Sequence, residues 1–307
     1  MLTEVLAALL PVVLLIGFGL FLRRRQLLPD AFWPQAEWLA YFVLLPALFV
    51  HGLATADLGG VPIGRVFAVL IGAIVLTAGL LLAARPWIGV GGPAFTSVFQ
   101  GGIRFNNYVG VMVATGLYGA EGTALAALAN AAIVPTVNIL SVLAFSRYGM
   151  AAAGLGQVLR RLATNPLLLA SALGLVLQLT GTGLPIGIDG ALSALGQAAL
   201  AIGLVCVGAG LMLGALGQHL RPIGASLLFK FVVLPAITLL IALAAGLAGR
   251  ELVIVLTFHA LPTATSSYIL ARQLGGDHAL MANIIAVQTV VAAATIPLAI
   301  VIAVALG

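Results

Sequence analysis

Long apolar runs, broken by very few charges, constrain the fold of this chain more than any other feature. Of its 307 residues, 63% are hydrophobic and 7% are charged, and the mean hydropathy is +1.23. About a quarter of the residues of a typical soluble domain are charged. The runs reach the roughly twenty residues that a helix needs to cross a bilayer, and they lack the alternation of transmembrane barrel strands. The sequence therefore predicts an all-α polytopic membrane protein.

Glycines, prolines and charged clusters divide the chain into ten predicted transmembrane spans. The first span is expected to remain as an anchor, because the basic run Arg23–Arg25 follows its apolar stretch, whereas the basic residues of a signal peptide precede it. The predicted spans are approximately Thr3–Leu22, Trp33–Leu53, Arg65–Ala84, Pro93–Leu117, Thr123–Phe145, Thr164–Thr180, Ala191–Gly217, Ile223–Ala248, Leu252–Gln273 and His278–Ala305.

The distribution of arginine predicts the orientation. With the N-terminus outside, the outer loops receive only Arg65 and Arg250, and the inner loops receive Arg23, Arg24, Arg25, Arg85, Arg147, Arg160, Arg161, Arg221 and Arg272. The positive-inside rule therefore places both termini on the outer side. These isolated arginines also account for the net charge of +5 without a basic face for nucleic acid, so the expected surroundings are lipid.

The chain also divides into two halves of five spans each, residues 1–148 and 149–307. An odd number of spans per half forces the halves into opposite orientations, so a repeat between them must be inverted. The fourth span ends in "LYGAEG" and the ninth in "QLGGDH", and each is followed by an alanine-rich span that reaches a proline, Pro135 or Pro297. The sequence thus predicts two inverted five-helix repeats.

Spans four and nine both contain residues that interrupt helices. In span nine, Pro262 removes a backbone donor, and it is followed by Thr263, Thr265, Ser266 and Ser267. Span four contains Gly101-Gly102, Arg104 and Asn106-Asn107. Interruptions at corresponding positions of two repeats indicate a transporter site. We expect the second half-helices to begin near Asn106 and Thr263, where helix N-termini and Arg104 would favour an anion.

At these residues the chain resembles the auxin efflux carrier family, which includes bacterial malate-permease-like proteins and the plant auxin carriers. The resemblance covers nearly the whole chain. It rests on "LLPALFVHGLAT", "RFNNYVG", "LYGAEG", the "NIL" after Pro135, "TNPLLLASALGL" and "HALPTATSSYILARQLGGD". The chain differs from the plant carriers at the first interruption, where it has Asn106-Asn107 in place of their proline. This difference makes auxin itself a less favoured substrate.

The resemblance implies ten helices in two inverted repeats, with spans four and nine broken and crossing. It further implies a scaffold of spans 1, 2, 6 and 7, a transport unit of spans 3–5 and 8–10, an elevator-type motion, a homodimer and an organic-anion substrate. The short connection between spans five and six is typical of a compact bacterial form, which would lie in the inner membrane.

The candidate substrate-binding residues lie in or beside the two interruptions. They are Arg104, Asn106, Asn107, Tyr108, His259, Pro262, Thr263 and Thr265, together with Asn138 and Gln288 on the following helices and His51 in span two. Each has a structural alternative. Arg104 could pair with carbonyl groups, His259 could be a packing residue instead of a proton carrier, and Asn138 and Gln288 could join helices.

The other charged residues narrow the chemistry. All eight acidic residues lie in loops or near span ends, so we expect neither a cationic substrate nor a carboxylate proton relay. Lys230 is predicted to lie within two turns of the inner face and to extend its amine to the interface. No cofactor or metal is expected, and coupling to H⁺, to Na⁺ or to no ion stays open.

The predicted function is a secondary transporter of a small organic carboxylate by alternating access. A gradient-driven uniporter or an anion channel is the alternative, which would need a continuous pore. An enzyme is not expected, because the chain has no HExxH, GxSxG or phosphate-binding GxxxxGK[ST] motif. Malate-like diacids, other short carboxylates and aromatic acids such as auxin all remain candidate substrates.

Overall fold

A computed structural model describes residues 2–56, 60–150, 156, 160, 163–185, 187–211 and 220–307, with the backbone alone for residues 2–6. Asp57, Arg161 and the end of the predicted seventh span, from residue 212 onward, lie outside the described residues, as does the side chain of Glu4.

The described residues form helices and contain no strand. Two of the helices, Phe32–Ala54 and Leu220–Ala244, each include one π-helical turn, Ala40–Leu44 and Phe229–Val233. The helices are α1 (Leu2–Arg24), α2 (Phe32–Ala54), α3 (Ile63–Ile88), α4 (Gly92–Ile103), α5 (Asn107–Tyr148), α6 (Pro166–Thr180), α7 (Ile188–Ala209), α8 (Leu220–Ala244), α9 (Gly249–His259), α10 (Ser266–Gln273) and α11 (His278–Leu306).

Seven helical segments in the described part of the chain are long and apolar enough to cross a membrane. They are α1, α2, α3, the run from α4 through α5, α7, α8 and α11. The apolar helix α6 is shorter, at 15 residues. Large apolar side chains such as Leu14 and Leu240 are 61% and 69% exposed, as expected for surfaces that face lipid. The prediction of an all-α, multi-pass membrane protein is confirmed.

The long run labelled α5 consists of two helices that reverse direction at Gly119. Gly119 has φ 59° and ψ −136°, a conformation that residues with a side chain rarely adopt. The hydroxyls of Thr115 and Thr123 are 2.8 Å apart, although a straight helix would separate residues eight apart by about 12 Å. The chain therefore folds back here, as the predicted boundary between spans four and five requires.

The residues group into two compact units. Unit 1 contains residues 1–61, 107–131 and 163–211, and unit 2 contains residues 62–106, 132–162 and 212–307. Helices α1, α2, α6 and α7 thus belong to unit 1, and α3, α4, α8, α9, α10 and α11 belong to unit 2. Helix α5 is divided, because its first 25 residues (107–131) group with unit 1.

In unit 1, α1 and α7 approach so closely that their backbones touch. A Cβ atom on Gly19 would lie 2.9 Å from the Cα of Val205, and one on Gly208 would lie 3.0 Å from the Cα of Ile16. Each helix therefore places a glycine against the backbone of the other. Small residues permit this close packing where lipid supplies no hydrophobic driving force between helices.

In unit 2, Gly101 and Gly102 lie where two other helices approach the end of α4. A Cβ on Gly101 would lie 2.7 Å from the Cγ2 of Ile284 on α11, and one on Gly102 would lie 2.7 Å from the Cδ1 of Leu81 on α3. Both glycines are still helical. They were expected to belong to the interruption, but their role here is to let neighbouring helices approach the end of α4.

Replacing Gly19 by alanine is expected to destabilise the protein, because the new methyl group overlaps the backbone at Val205. Overpacking of this kind typically costs about 1–3 kcal/mol. A Cβ atom on Gly17, two residues earlier on the same helix, would have no neighbouring atom within 4 Å, so Gly17→Ala is the matched control. The melting temperature of the purified protein in detergent should fall for Gly19→Ala only. Equal melting temperatures for the two variants would contradict the packing of α1 on α7.

Candidate functional site

The first interruption consists of residues 104–106. Helix α4 ends at Ile103, and Arg104 is extended, with φ −79° and ψ 162°. Helix α5 begins at Asn107, one residue from the predicted start. Asn106 is buried, with 2% of its surface exposed. Arg104, Phe105 and Asn106 therefore form the non-helical link, and Asn107 begins the next helix.

The second interruption consists of residues 260–265. Helix α9 ends at His259 and α10 begins at Ser266, three residues later than predicted. Pro262 has no N–H to donate, and the N–H of Thr263 is donated to a side chain of another helix. Pro262 and Thr263 are buried, and Thr265 is half-buried.

Gln288 on α11 joins the two interruptions. Its Oε1 accepts the N–H of Thr263 at 2.9 Å, and its Nε2 donates to the carbonyl of Gly101 at 2.9 Å and to the Ser226 hydroxyl at 3.0 Å. The side chain is fully buried. One amide thus binds a donor from the second interruption, an acceptor next to the first, and a hydroxyl on α8.

Arg104 lies between two other polar side chains of unit 2. Its guanidinium donates to Asn138 Oδ1 at 2.8 Å and to the Ser266 hydroxyl at 3.4 Å. Asn138 lies on α5, and Ser266 is the first residue of α10. All three residues are half-buried. The structure therefore brings together Arg104 and Asn138 from the predicted set, and Ser266 joins them at the start of the second half-helix.

His259 lies at the last position of α9, directly before the second interruption. Its Nδ1 is 2.6 Å from the hydroxyl of Thr238 on α8, and its side chain is 1% exposed. Phe258 and Phe105, from the two interrupted regions, have ring centroids 5.8 Å apart. His259 is thus held next to the interruptions and within unit 2.

Three predicted residues belong to unit 1. Asn107 is the half-buried first residue of α5. Tyr108 is 6% exposed, and its ring packs where a side chain on Gly203 would stand. On α2, His51 has its Nε2 3.1 Å from Asp189 Oδ1. The role of all the predicted residues as substrate ligands stays a prediction.

Sequence reasoning misplaced Lys230 and left Ser226, Thr238 and Ser266 out of the site. Lys230 was expected to reach the interface, but it is fully buried, because it lies in the π-helical turn of α8 that packs against other helices of unit 2. One signal was available. Lys230 is the only lysine of the chain, which has twelve arginines. Ser266 has the signal that it follows Pro262 in the second interruption, whereas Ser226 and Thr238 have none, since similar residues occur in most spans.

Gln288→Met should destabilise the protein, because methionine fills a similar volume but leaves the Thr263 N–H and the Gly101 carbonyl without this partner. A buried polar group left unpaired costs about 1–3 kcal/mol. The control is Gln197→Met on α7, an exposed residue whose Nε2 bonds only Ser193 in the described structure, at 3.3 Å. Chemical denaturation in detergent measures the free energy of unfolding of both variants and of the wild type. If Gln288→Met lowers this free energy no more than Gln197→Met does, Gln288 does not hold the interruptions together.

Two comparisons with known proteins bear on these observations. No curated protein matches the chain. The model of a family described as "membrane transport protein" matches residues 4–300, which include both interruptions and nearly the whole chain. This protein therefore belongs to the membrane transport protein family, the family of the auxin efflux carriers, and is a transporter and not an enzyme.

Proposed function

We propose that this protein is a secondary transporter of a small organic carboxylate, and that the carboxylate binds beside Arg104, Asn138 and Ser266. The observation that carries the proposal is the placement of the Arg104 guanidinium in a helix interruption, oriented by oxygen atoms of two other elements. A guanidinium presents a planar fork of donors that fits a carboxylate. Charged side chains at this depth usually mark a transport pathway.

The surrounding electrostatics favour an anion over a cation. Ser266 begins α10, so the N-terminal end of a helix, with its partial positive charge, lies within reach of Arg104. None of the acidic side chains in the described structure is buried. A cation would therefore meet a guanidinium and a helix N-terminus without a carboxylate to bind it.

Ten membrane passes in two inverted repeats are supported by the pattern of helices. The reversal at Gly119 separates α5 into the end of a fourth pass and a complete fifth pass. The pairs α4 with the start of α5, and α9 with α10, then each form one interrupted pass. These are passes four and nine, the same position in each half. The arginine distribution supports an inner-membrane orientation with both termini outside.

The division into compact units supports an elevator-type mechanism. Unit 2 contains Arg104, Asn138, Ser266, His259 and Gln288, so both interruptions, residues 104–106 and 260–265, belong to one compact body, whereas Asn107 and Tyr108 after the first interruption belong to unit 1. We propose that unit 2 carries the substrate and that unit 1, with α1, α2, α6 and α7, is the scaffold. Residues 107–131 were expected in the transport unit and group with unit 1, so the boundary would pass through α5.

Arg104→Ala is expected to abolish carboxylate exchange. In proteoliposomes, labelled malate, pyruvate and indole-3-acetate would be exchanged against the same unlabelled acid, and at least one should exchange saturably. Loss of a charged partner for a bound anion should lower the exchange rate at least about tenfold. The control is Arg272→Ala, which removes an exposed arginine from the other end of α10.

The same experiment separates the alternatives. Flux that does not saturate and shows no exchange would indicate a channel or a different substrate class. Exchange that survives Arg104→Ala unchanged would place the substrate elsewhere.

A further inference from the structure

Arg85, near the end of α3, stacks on two aromatic rings of unit 2. Its guanidinium carbon lies 4.4 Å from the ring centroid of Tyr148 on α5 and 5.7 Å from that of Phe95 on α4. Stacking uses the flat face of a guanidinium and leaves the N–H groups at its edge. Arg85 is half-buried. Its Nε is buried beside the rings, and no hydrogen bond in the described structure uses its terminal Nη groups.

A second arginine shares one of these rings. Arg147, on α5, has its guanidinium carbon 5.4 Å from the Tyr148 centroid, and its side chain is exposed. Like Arg85, it has neither a hydrogen bond nor a carboxylate partner among the described residues. Two guanidinium groups beside one ring repel each other. The arrangement therefore favours an anion that contacts both.

A third arginine lies at the same end of α3. Arg221, near the start of α8, donates from Nη2 to the carbonyl of Trp87 in the last turn of α3. Its Nη1 lies 3.4 Å from where a Cβ atom on Gly89 would stand. Arginines of α3, α5 and α8 thus meet around the end of α3. We call Arg85, Arg147 and Arg221 the arginine cluster.

The carboxylates of unit 2 do not neutralise this cluster. The acidic residues in the sequence of unit 2 are Glu251 and Asp277. Glu251 pairs with its neighbour Arg250, with Oε1 3.1 Å from Nε. Asp277 lies near the start of α4, but its Oδ1 accepts the N–H of Leu280 in the first turn of α11. Neither carboxylate forms an ion pair with the cluster in the described structure.

The cluster lies near the level of the lipid headgroups. Helix α3 has 26 residues, so it is about 39 Å long and exceeds the roughly 30 Å hydrocarbon core. Arg85 is close to its end. One turn earlier on the helices of Arg85 and Arg147, the side chains of Leu82 and Leu143 are 43% and 52% exposed. The cluster therefore borders an apolar surface, at the end of unit 2 that the arginine distribution predicts to face inward.

We propose that the arginine cluster binds the phosphate of an anionic phospholipid whose acyl chains lie along Leu82 and Leu143. Hydrogen bonds from a guanidinium to phosphate oxygens are short and strong, and basic pockets between transmembrane helices suit anionic headgroups. A zwitterionic lipid is disfavoured, because its amine would add a positive charge to the cluster. The bound phosphate links the ends of α3, α5 and α8, where no carboxylate of the described structure does so.

Native mass spectrometry of the whole chain in detergent tests this inference. The probes are phosphatidylglycerol and phosphatidylcholine with the same acyl chains. The wild type should bind phosphatidylglycerol at least about tenfold more tightly. The double variant Arg85→Met and Arg147→Met should lose this preference, because methionine keeps an apolar side chain without the charge. The control is Arg65→Met, which removes an exposed arginine from the other end of α3 and should keep the preference.

Two results of this measurement would contradict the proposal. Equal affinity of the wild type for the two lipids would mean that the cluster does not select an anionic headgroup. An unchanged preference in the double variant would place the lipid elsewhere.

A third arm distinguishes a lipid from a soluble phosphate compound. Inorganic phosphate, added at the same concentration as phosphatidylglycerol, should leave the bound lipid in place because it lacks acyl chains to bury against Leu82 and Leu143. Displacement of the lipid by inorganic phosphate would overturn the assignment to a phospholipid.

Mapping the lipid on the wild-type protein makes the test independent of variant folding. Phosphatidylglycerol with a photoreactive group in its acyl chain would be crosslinked to the protein, and the adducts located by mass spectrometry of peptides. Adducts should concentrate in peptides covering residues 80–90 and 140–150. Adducts spread evenly over the lipid-facing helices, or concentrated on α1 and α7, would overturn the proposed site.

Discussion

Backbone polar groups freed by a helix interruption inside a membrane must find partners within the protein. Two interruptions free many such groups. The single buried amide of Gln288 provides partners for two of them, since it accepts the Thr263 N–H and donates to the Gly101 carbonyl. This requires α11 to lie against α4, and the absence of a side chain at Gly101, which faces Ile284 of α11, makes that approach possible.

The same constraint explains why polar side chains concentrate in this part of unit 2. Elsewhere, a threonine can satisfy its hydroxyl on its own helix, as Thr136 does on the carbonyl of Ala132. At the interruptions, side chains of different elements satisfy one another, as Arg104 does with Asn138 and Ser266. Groups that bind backbone and groups that could bind a substrate are therefore neighbours. A charged ligand at this position would meet a framework that is already ordered.

The sequence predicts the fold class, the two interruptions and many of the residues around them. Pro262 and the "RFNN" stretch are local signals, because proline and paired asparagines disfavour a helix whatever surrounds them. The prediction that Lys230 is exposed at the interface is wrong. Its burial depends on which helices pack against α8, and the local sequence does not determine that packing. The partnership of Thr238 with His259 was likewise not predictable, because it joins residues of two helices through tertiary contact alone.

A carboxylate that binds at the two interruptions of unit 2 should protect the backbone amides of both segments. Hydrogen exchange of the purified protein, followed by mass spectrometry with and without a saturating carboxylate, measures this protection. We expect slower exchange in peptides covering residues 101–106 and 260–270, with α1 and α7 unchanged. Slower exchange confined to unit 1, with these two segments unaffected by a carboxylate that is shown to bind, would contradict it.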